Sequence, residues 1–199
     1  MDAEIVSRET SDDLEKFAEL LTKWNQTINL VGKGTIPDLF ERHIADSLQL
    51  FRHAPAFRTW VDLGSGGGLP GLVIAIQVKH TAPDRQVVLI ESDQRKCAFL
   101  RTVIRELSLN ASVISKRIED VEPMKADVVS ARALAELPLL LRYCDRHLVS
   151  HGTALLLKGA RWQQEHEEAS RLWSYRLEAI ISETNSNAAV LKIKDLRHV

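Results

Sequence analysis

The densest chemistry in the chain is Trp60-Val61-Asp62-Leu63-Gly64-Ser65-Gly66-Gly67-Gly68-Leu69-Pro70-Gly71, with five glycines in the eight residues from Gly64 to Gly71. A plain strand-to-helix turn needs far fewer. Glycine admits positive φ and lets a ligand lie directly on the backbone, where a Cβ would collide. Gly64, Ser65, Gly66, Gly68 and Leu69 are therefore expected to cradle a nucleoside cofactor. Asp62, just ahead of them, brings a carboxylate able to receive an ammonium group. Glu91 closes the next apolar run, where a carboxylate can accept both hydroxyls of a ribose. Ile118 and Glu119 follow the third run and could meet an adenine edge.

Two cofactors compete for this turn. Gly66-x-Gly68-x-x-Gly71 matches the dinucleotide fingerprint, and Glu91 lies about 20 residues onward, so an NAD(P)-dependent oxidoreductase is the alternative enzyme. Three features favour S-adenosylmethionine. Asp62 would repel a pyrophosphate, and Pro70 removes an N–H from the helix start where phosphate docks. The chain also closes with a hairpin foreign to an all-parallel dinucleotide sheet. S-adenosylmethionine carries no phosphate and tolerates all three.

Ser130-Ala131-Arg132-Ala133-Leu134-Ala135, after the fourth strand-like run, would face the transferred methyl group. It has no Asn/Asp-Pro-Pro-aromatic loop for an exocyclic amine and no cysteine to activate a pyrimidine ring. Lys158 has no acid in that loop with which to deprotonate a ribose hydroxyl. Guanine N7 asks for less: its lone pair is exposed, no proton is lost, and positioning supplies the catalysis. Arg132 is the expected catalytic residue, a guanidinium matched to an acceptor edge such as O6 and equally able to order the cofactor.

The elements that must position these groups follow from periodicity. Ser11 is read as the cap of a first helix whose face is Leu14, Phe17, Ala18, Leu21 and Trp24. Thr35 is read as the cap of a second, with Leu39, Phe40, His43, Ile44, Ser47, Leu48 and Phe51 on one stripe. Strands are expected at 59–63, 86–91, 111–115, 127–130 and 153–158, and helices at 69–78, 94–107, 137–148 and 161–173. Strand-like runs at 177–183 and 189–193, separated by Asn185-Ser186-Asn187, suit a hairpin. The fold class is α/β, a mostly parallel sheet with one antiparallel strand. One domain is expected, residues 1–55 forming a helical extension on a core of 56–199.

Composition narrows the classes further. With 45% hydrophobic and 27% charged residues the chain reads as an ordinary globular protein. No apolar stretch is long enough for a membrane span, and the acidic start is unlike a signal peptide, so a cytoplasmic location is expected. Two cysteines, Cys97 and Cys144, and seven scattered histidines support neither disulfide nor metal chemistry. A net charge of −1 does not advertise nucleic-acid binding. Basic residues nevertheless crowd the middle of the chain, among them Arg95, Lys96, Lys116, Arg117, Arg142 and Arg146.

Taken together, Trp24-Asn25-x-x-x-Asn29-Leu30, Arg42-His43-Ile44-x-Asp46-Ser47, the glycine motif, Ser130-x-Arg132-Ala133 and Lys158-Gly159 resemble the bacterial 16S rRNA guanine-N7 methyltransferases, the RsmG or GidB family. The likeness runs through nearly the whole chain in order. It implies a Rossmann-like seven-stranded S-adenosylmethionine-dependent fold with an N-terminal helical extension, acting on a guanosine in the decoding-region loop of 16S rRNA. It also implies 16S rRNA or the small ribosomal subunit as partner, with the chain expected to be a monomer. By position it assigns Gly64, Leu69, Ile118, Glu119 and Arg132 to the cofactor. Asn29, Arg42, His43 and Lys158 become candidates for the guanine or phosphate side, with Asp46 holding His43 or Arg42. Glu91 departs from the family's common Asp, and the N-terminus is short. A non-catalytic RNA-binding or assembly protein keeping only the fold is the remaining alternative.

Overall fold

The computed structural model describes residues 6–199. Helix α1 (Arg8–Asn25) starts at Ser7, whose side chain accepts the Thr10 N–H. The cap is thus four residues earlier than Ser11, which lies inside the helix. Its buried face is the expected one, including Leu14, Phe17, Ala18 and Leu21.

The second segment departs from expectation. A short 3-10 turn at Lys33–Thr35 is followed by a π-helical turn at Phe40–Ala45 and then α2 (Asp46–His53). A π turn accommodates an extra residue and rotates everything after it relative to an α-helical register. Phe40, expected on the buried stripe, is 44% exposed, while Gln49 and Leu50 are buried beside Ser47. Thr35 caps nothing: its hydroxyl donates to the Gly32 carbonyl.

The core alternates: β1 (Thr59–Leu63), α3 (Gly71–Thr81), β2 (Gln86–Ile90), α4 (Gln94–Glu106), β3 (Ala111–Ile114), β4 (Ala126–Arg132), α5 (Leu137–His147), β5 (Leu148–Lys158), α6 (Trp162–Ala169), β6 (Trp173–Ile181) and β7 (Ala189–His198). These strands form one seven-stranded sheet in the order β3-β2-β1-β4-β5-β7-β6. β1 pairs in parallel with both β2 and β4, whereas β7 runs antiparallel to β5 and β6, the single reversed strand that the hairpin predicts. Trp173, expected at the end of a helix, begins β6 and packs edge-on against His198.

Both sheet faces are covered. Trp60, Leu72 and Leu89 join α1 residues such as Phe17 and Leu21 in one core. Val61, Leu63 and Val88 join α5 residues such as Leu140 and Leu141 in the other. The alternation Trp60/Val61 is the period-two rule of a strand. Cys97 and Cys144 are both buried and unpaired. Among the described residues, no helix is long and apolar enough to cross a membrane.

Because the chain builds β1, β2 and β3 outward and then returns β4 to the other side of β1, the carboxyl ends of β1 and β4 open a crevice. Ligands of open α/β sheets bind at such a reversal.

Candidate active site

At that crevice lies a cavity of about 670 Å³. Gly64, Ser65, Gly66 and Leu69 line it from the turn after β1, Glu91 from the end of β2, Ile118 and Glu119 from the segment after β3, and Arg132 from the end of β4. His43 completes the wall from the π turn. Eight residues expected from the core sequence thus come together with one from the N-terminal extension.

The glycines serve distinct purposes. Gly64, Gly66 and Gly68 have φ of 63°, 52° and 82°, the left-handed region that disfavours side chains. A Cβ on Gly66 would meet nothing nearer than the Gly64 carbonyl at 3.8 Å, so the space above it belongs to the cavity. A Cβ on Gly68 would strike Leu72 at 2.3 Å, so this glycine makes the turn and does not line the cavity. A Cβ on Gly71 would lie 2.2 Å from Leu89 and 2.7 Å from the Asp62 carboxylate, which makes that glycine a close approach of helix to strand.

Asp62 is not where a cofactor's ammonium could reach it. It is fully buried under the turn, where Ser130, opposite it in the β1–β4 register, donates to Oδ1 at 2.6 Å. Ser130 in turn receives the Trp60 indole N–H at 2.8 Å. Strand parity explains the placement: Asp62 shares the face of Trp60, toward α3, and not the strand end. Burial raises its pKa to about 6, with the Ser130 hydrogen bond opposing and Glu91 adding to the rise.

Glu91 also has less freedom than the sequence suggests. Its Oε2 accepts the Gly66 N–H at 2.9 Å, and its Oε1 accepts both Ser92 and Asp93 N–H at 2.8 Å. Only Oε2 keeps a lone pair, so one ribose hydroxyl is the match and a bidentate pair is not. The turn is correspondingly short of free amides: Ser65 N–H donates to Ile90, Gly66 N–H to Glu91 and Gly68 N–H to Ser65. That suits a phosphate-free nucleoside better than a pyrophosphate. The residues present therefore fit S-adenosylmethionine.

Arg132 is pinned from the N-terminal extension. Its Nη2 donates to His43 Nδ1, and its Nη1 lies 3.8 Å from Asp46 Oδ2 but makes no hydrogen bond. Burial lowers the guanidinium pKa, against the pull of Asp46. Asp46 therefore holds Arg132, not Arg42, and its Oδ1 gathers Gln49, Ser182 and Thr184 at 2.7 to 3.0 Å. Burial, then Arg132 and Arg42, push the His43 pKa down to about 4, leaving a neutral imidazole.

Three expected substrate residues do not line the cavity. Asn29 and Arg42 are exposed away from it. Lys158 is committed elsewhere: its ammonium donates to the Ala135 carbonyl at 2.9 Å and pairs with Glu165 at 2.5 Å. Glu165 also accepts the Leu137 N–H, so this pair locks the β4–α5 loop.

Sequence reasoning missed the loop that covers the site. Asn25 Oδ1 accepts the N–H groups of Leu30 and Val31, bending the chain so that Leu30 rests on Gly67. Leu30, Val31, Gly32 and Thr35 then line the cavity. Lys96, Lys116 and Arg117, part of the basic middle, lie on the wall as well, while Arg95 and Arg105 pair with Asp93 and Glu106.

Residues 10–190 match the family model described as rRNA small subunit methyltransferase G. A ribosomal RNA small subunit methyltransferase G of Ruegeria pomeroyi is 50% identical over 194 residues, covering 98% of this chain and 95% of the relative. The protein of that name from Paracoccus denitrificans is 51% identical over 195 residues, covering 97% and 98%. Among solved structures, a SAM-dependent methyltransferase from Aquifex aeolicus superposes with a TM-score of 0.63 at 12% identity, covering 87% of this chain and 97% of its own.

Proposed function

The chain belongs to the rRNA small subunit methyltransferase G family, and on that premise we propose that it methylates N7 of a guanosine in 16S rRNA. It is a methyltransferase of small-subunit rRNA that uses S-adenosylmethionine. The oxidoreductase alternative falls with the family. The donor supplies an electrophilic methyl group on a sulfonium; the protein's part is to hold donor and base in line. Gly64, Ser65 and Gly66 floor the nucleoside, Glu91 Oε2 takes a ribose hydroxyl, and Ile118 and Glu119 flank the adenine. Arg132 lines the cavity, and its Nη2, held by His43, keeps a second N–H to offer the guanine acceptor edge.

One observation carries the choice of N7: the wall beside Arg132 offers no free base. His43 has both ring nitrogens engaged, Asp46 stands behind the wall with Oδ1 taken by Gln49, Ser182 and Thr184 and Oδ2 facing Arg132, and Lys158 with Glu165 is turned away. An amine or hydroxyl acceptor would need a proton removed, whereas N7 attacks with a lone pair it already exposes. The partner is 16S rRNA, naked or in the small subunit, met in the cytoplasm by a monomer. The helical extension and the core 56–199 act as one domain, with Leu30, Val31, Gly32 and Thr35 of the first roofing the site of the second.

Nucleoside mapping of 16S rRNA with and without the protein tests this. A 7-methylguanosine present only with the protein is the expected result; an unchanged rRNA, or loss of a different methylated nucleoside, refutes it.

A further inference from the structure

The hydrogen bonds around His43 define its protonation pattern from both sides. The Thr35 hydroxyl spends its single proton on the Gly32 carbonyl at 2.8 Å. Toward His43 Nε2, 2.7 Å away, Thr35 can therefore only accept, so Nε2 carries a hydrogen. On the other side Arg132 Nη2 has no lone pair and can only donate, so Nδ1 must be bare. Two independent constraints select the same neutral tautomer.

The geometry points to His43 as a positioning residue for methyl transfer: an imidazole fixed by Thr35 that presents the Nδ1 lone pair to Arg132 and so aims the guanidinium into the cavity. This rests on the role proposed above for Arg132, and it moves His43 from substrate ligand to support. The arrangement has a second anchor in Asp46, which faces Nη1 at 3.8 Å while tied to Ser182 and Thr184 of the β6–β7 turn. Nη1 is buried against Asp46, whereas Nη2 spends one of its two N–H groups on His43 and keeps the other for a ligand. A protonated imidazole would set N–H against N–H and release the arginine; its depressed pKa keeps that form scarce at neutral pH. The chain Gly32–Thr35–His43–Arg132 also couples the loop roofing the cavity to Arg132.

Two readouts on the full chain test this. Heteronuclear NMR of the imidazole nitrogens should find His43 with Nε2 protonated and Nδ1 bare at neutral pH, and Thr35→Val should let the other tautomer appear. A His43 signal from the Nδ1–H form, or from the cation, overturns the proposal. In single-turnover transfer to 16S rRNA, His43→Leu should lower the rate by between about ten- and a hundredfold, as misaimed groups do, with affinity for S-adenosylhomocysteine changed less than the rate. His43→Asn, whose amide oxygen can stand where Nδ1 stood, should recover most of that loss; equal rates for the two variants overturn it. Should the wild-type protein transfer no methyl group, the proposed function fails, while the tautomer and its response to Thr35→Val still decide the positioning.

Discussion

Asp62 offers the sharpest energetic test of the architecture beneath the glycine turn. Its carboxyl is fully buried, with one hydrogen bond to Oδ1 from Ser130 and no partner for Oδ2. Burial raises its pKa from 3.8 to about 6. The folded carboxyl thus holds its proton to higher pH than the unfolded chain does. Its contribution to stability is fully present below pH 3.8 and is lost as pH rises through about 6. The difference corresponds to about 3 kcal/mol between acid and mildly alkaline conditions. Asp62→Asn keeps the shape and an acceptor for Ser130 but does not titrate. Urea unfolding of both proteins at a series of pH values from acid to mildly alkaline cancels the other groups in the difference. The variant should gain about 3 kcal/mol on the wild type across that range. Parallel stability curves would refute the burial of an ionisable Asp62.

Three further outcomes follow from the site. Gly66→Val should leave a folded protein, since a Cβ there meets nothing within 3.8 Å, at a backbone strain of about 2 kcal/mol. It should abolish binding of S-adenosylhomocysteine in calorimetry by filling the cavity floor. Arg132→Ala should cut methyl transfer to 16S rRNA far more than it lowers thermal stability; wild-type turnover would remove Arg132 from the site. Lys158→Met leaves Glu165 buried without its cation, so chemical denaturation should show a loss of about 3 kcal/mol or more, and pairing it with Glu165→Leu should restore much of it.

The sheet was legible because buried parallel strands are apolar runs cut by turn residues: β1 falls on the expected 59–63, and the hairpin announces the reversed β7. The rest was hidden for identifiable reasons. Nothing in the apolar spacing of residues 39–51 marks a π turn, and the register after it differs from the expected stripe, with Gln49 and Leu50 inside. Trp173 suits a helix end as well as a strand start, and only pairing with His198 decides it. Glycine chemistry marks the turn that lines the cavity, but the parity of Trp60 and Asp62 was the available sign that the carboxylate faces α3 and not the cavity. Lys158 was credited with substrate contact because its partner Glu165 lies on the next helix. The roof escaped notice because a polar loop gives no sign of where it returns; Asn25, turned inward to hold Leu30 and Val31, was its one marker.

A crystal structure of the protein with S-adenosylhomocysteine tests the central claim most directly. The nucleoside should lie over Gly64 and Gly66, with a ribose hydroxyl on Glu91 Oε2 and Arg132 still held by His43 beside the sulfur. A ligand bound outside this crevice, or side chains occupying the space above Gly66 while the ligand sits elsewhere, would contradict it.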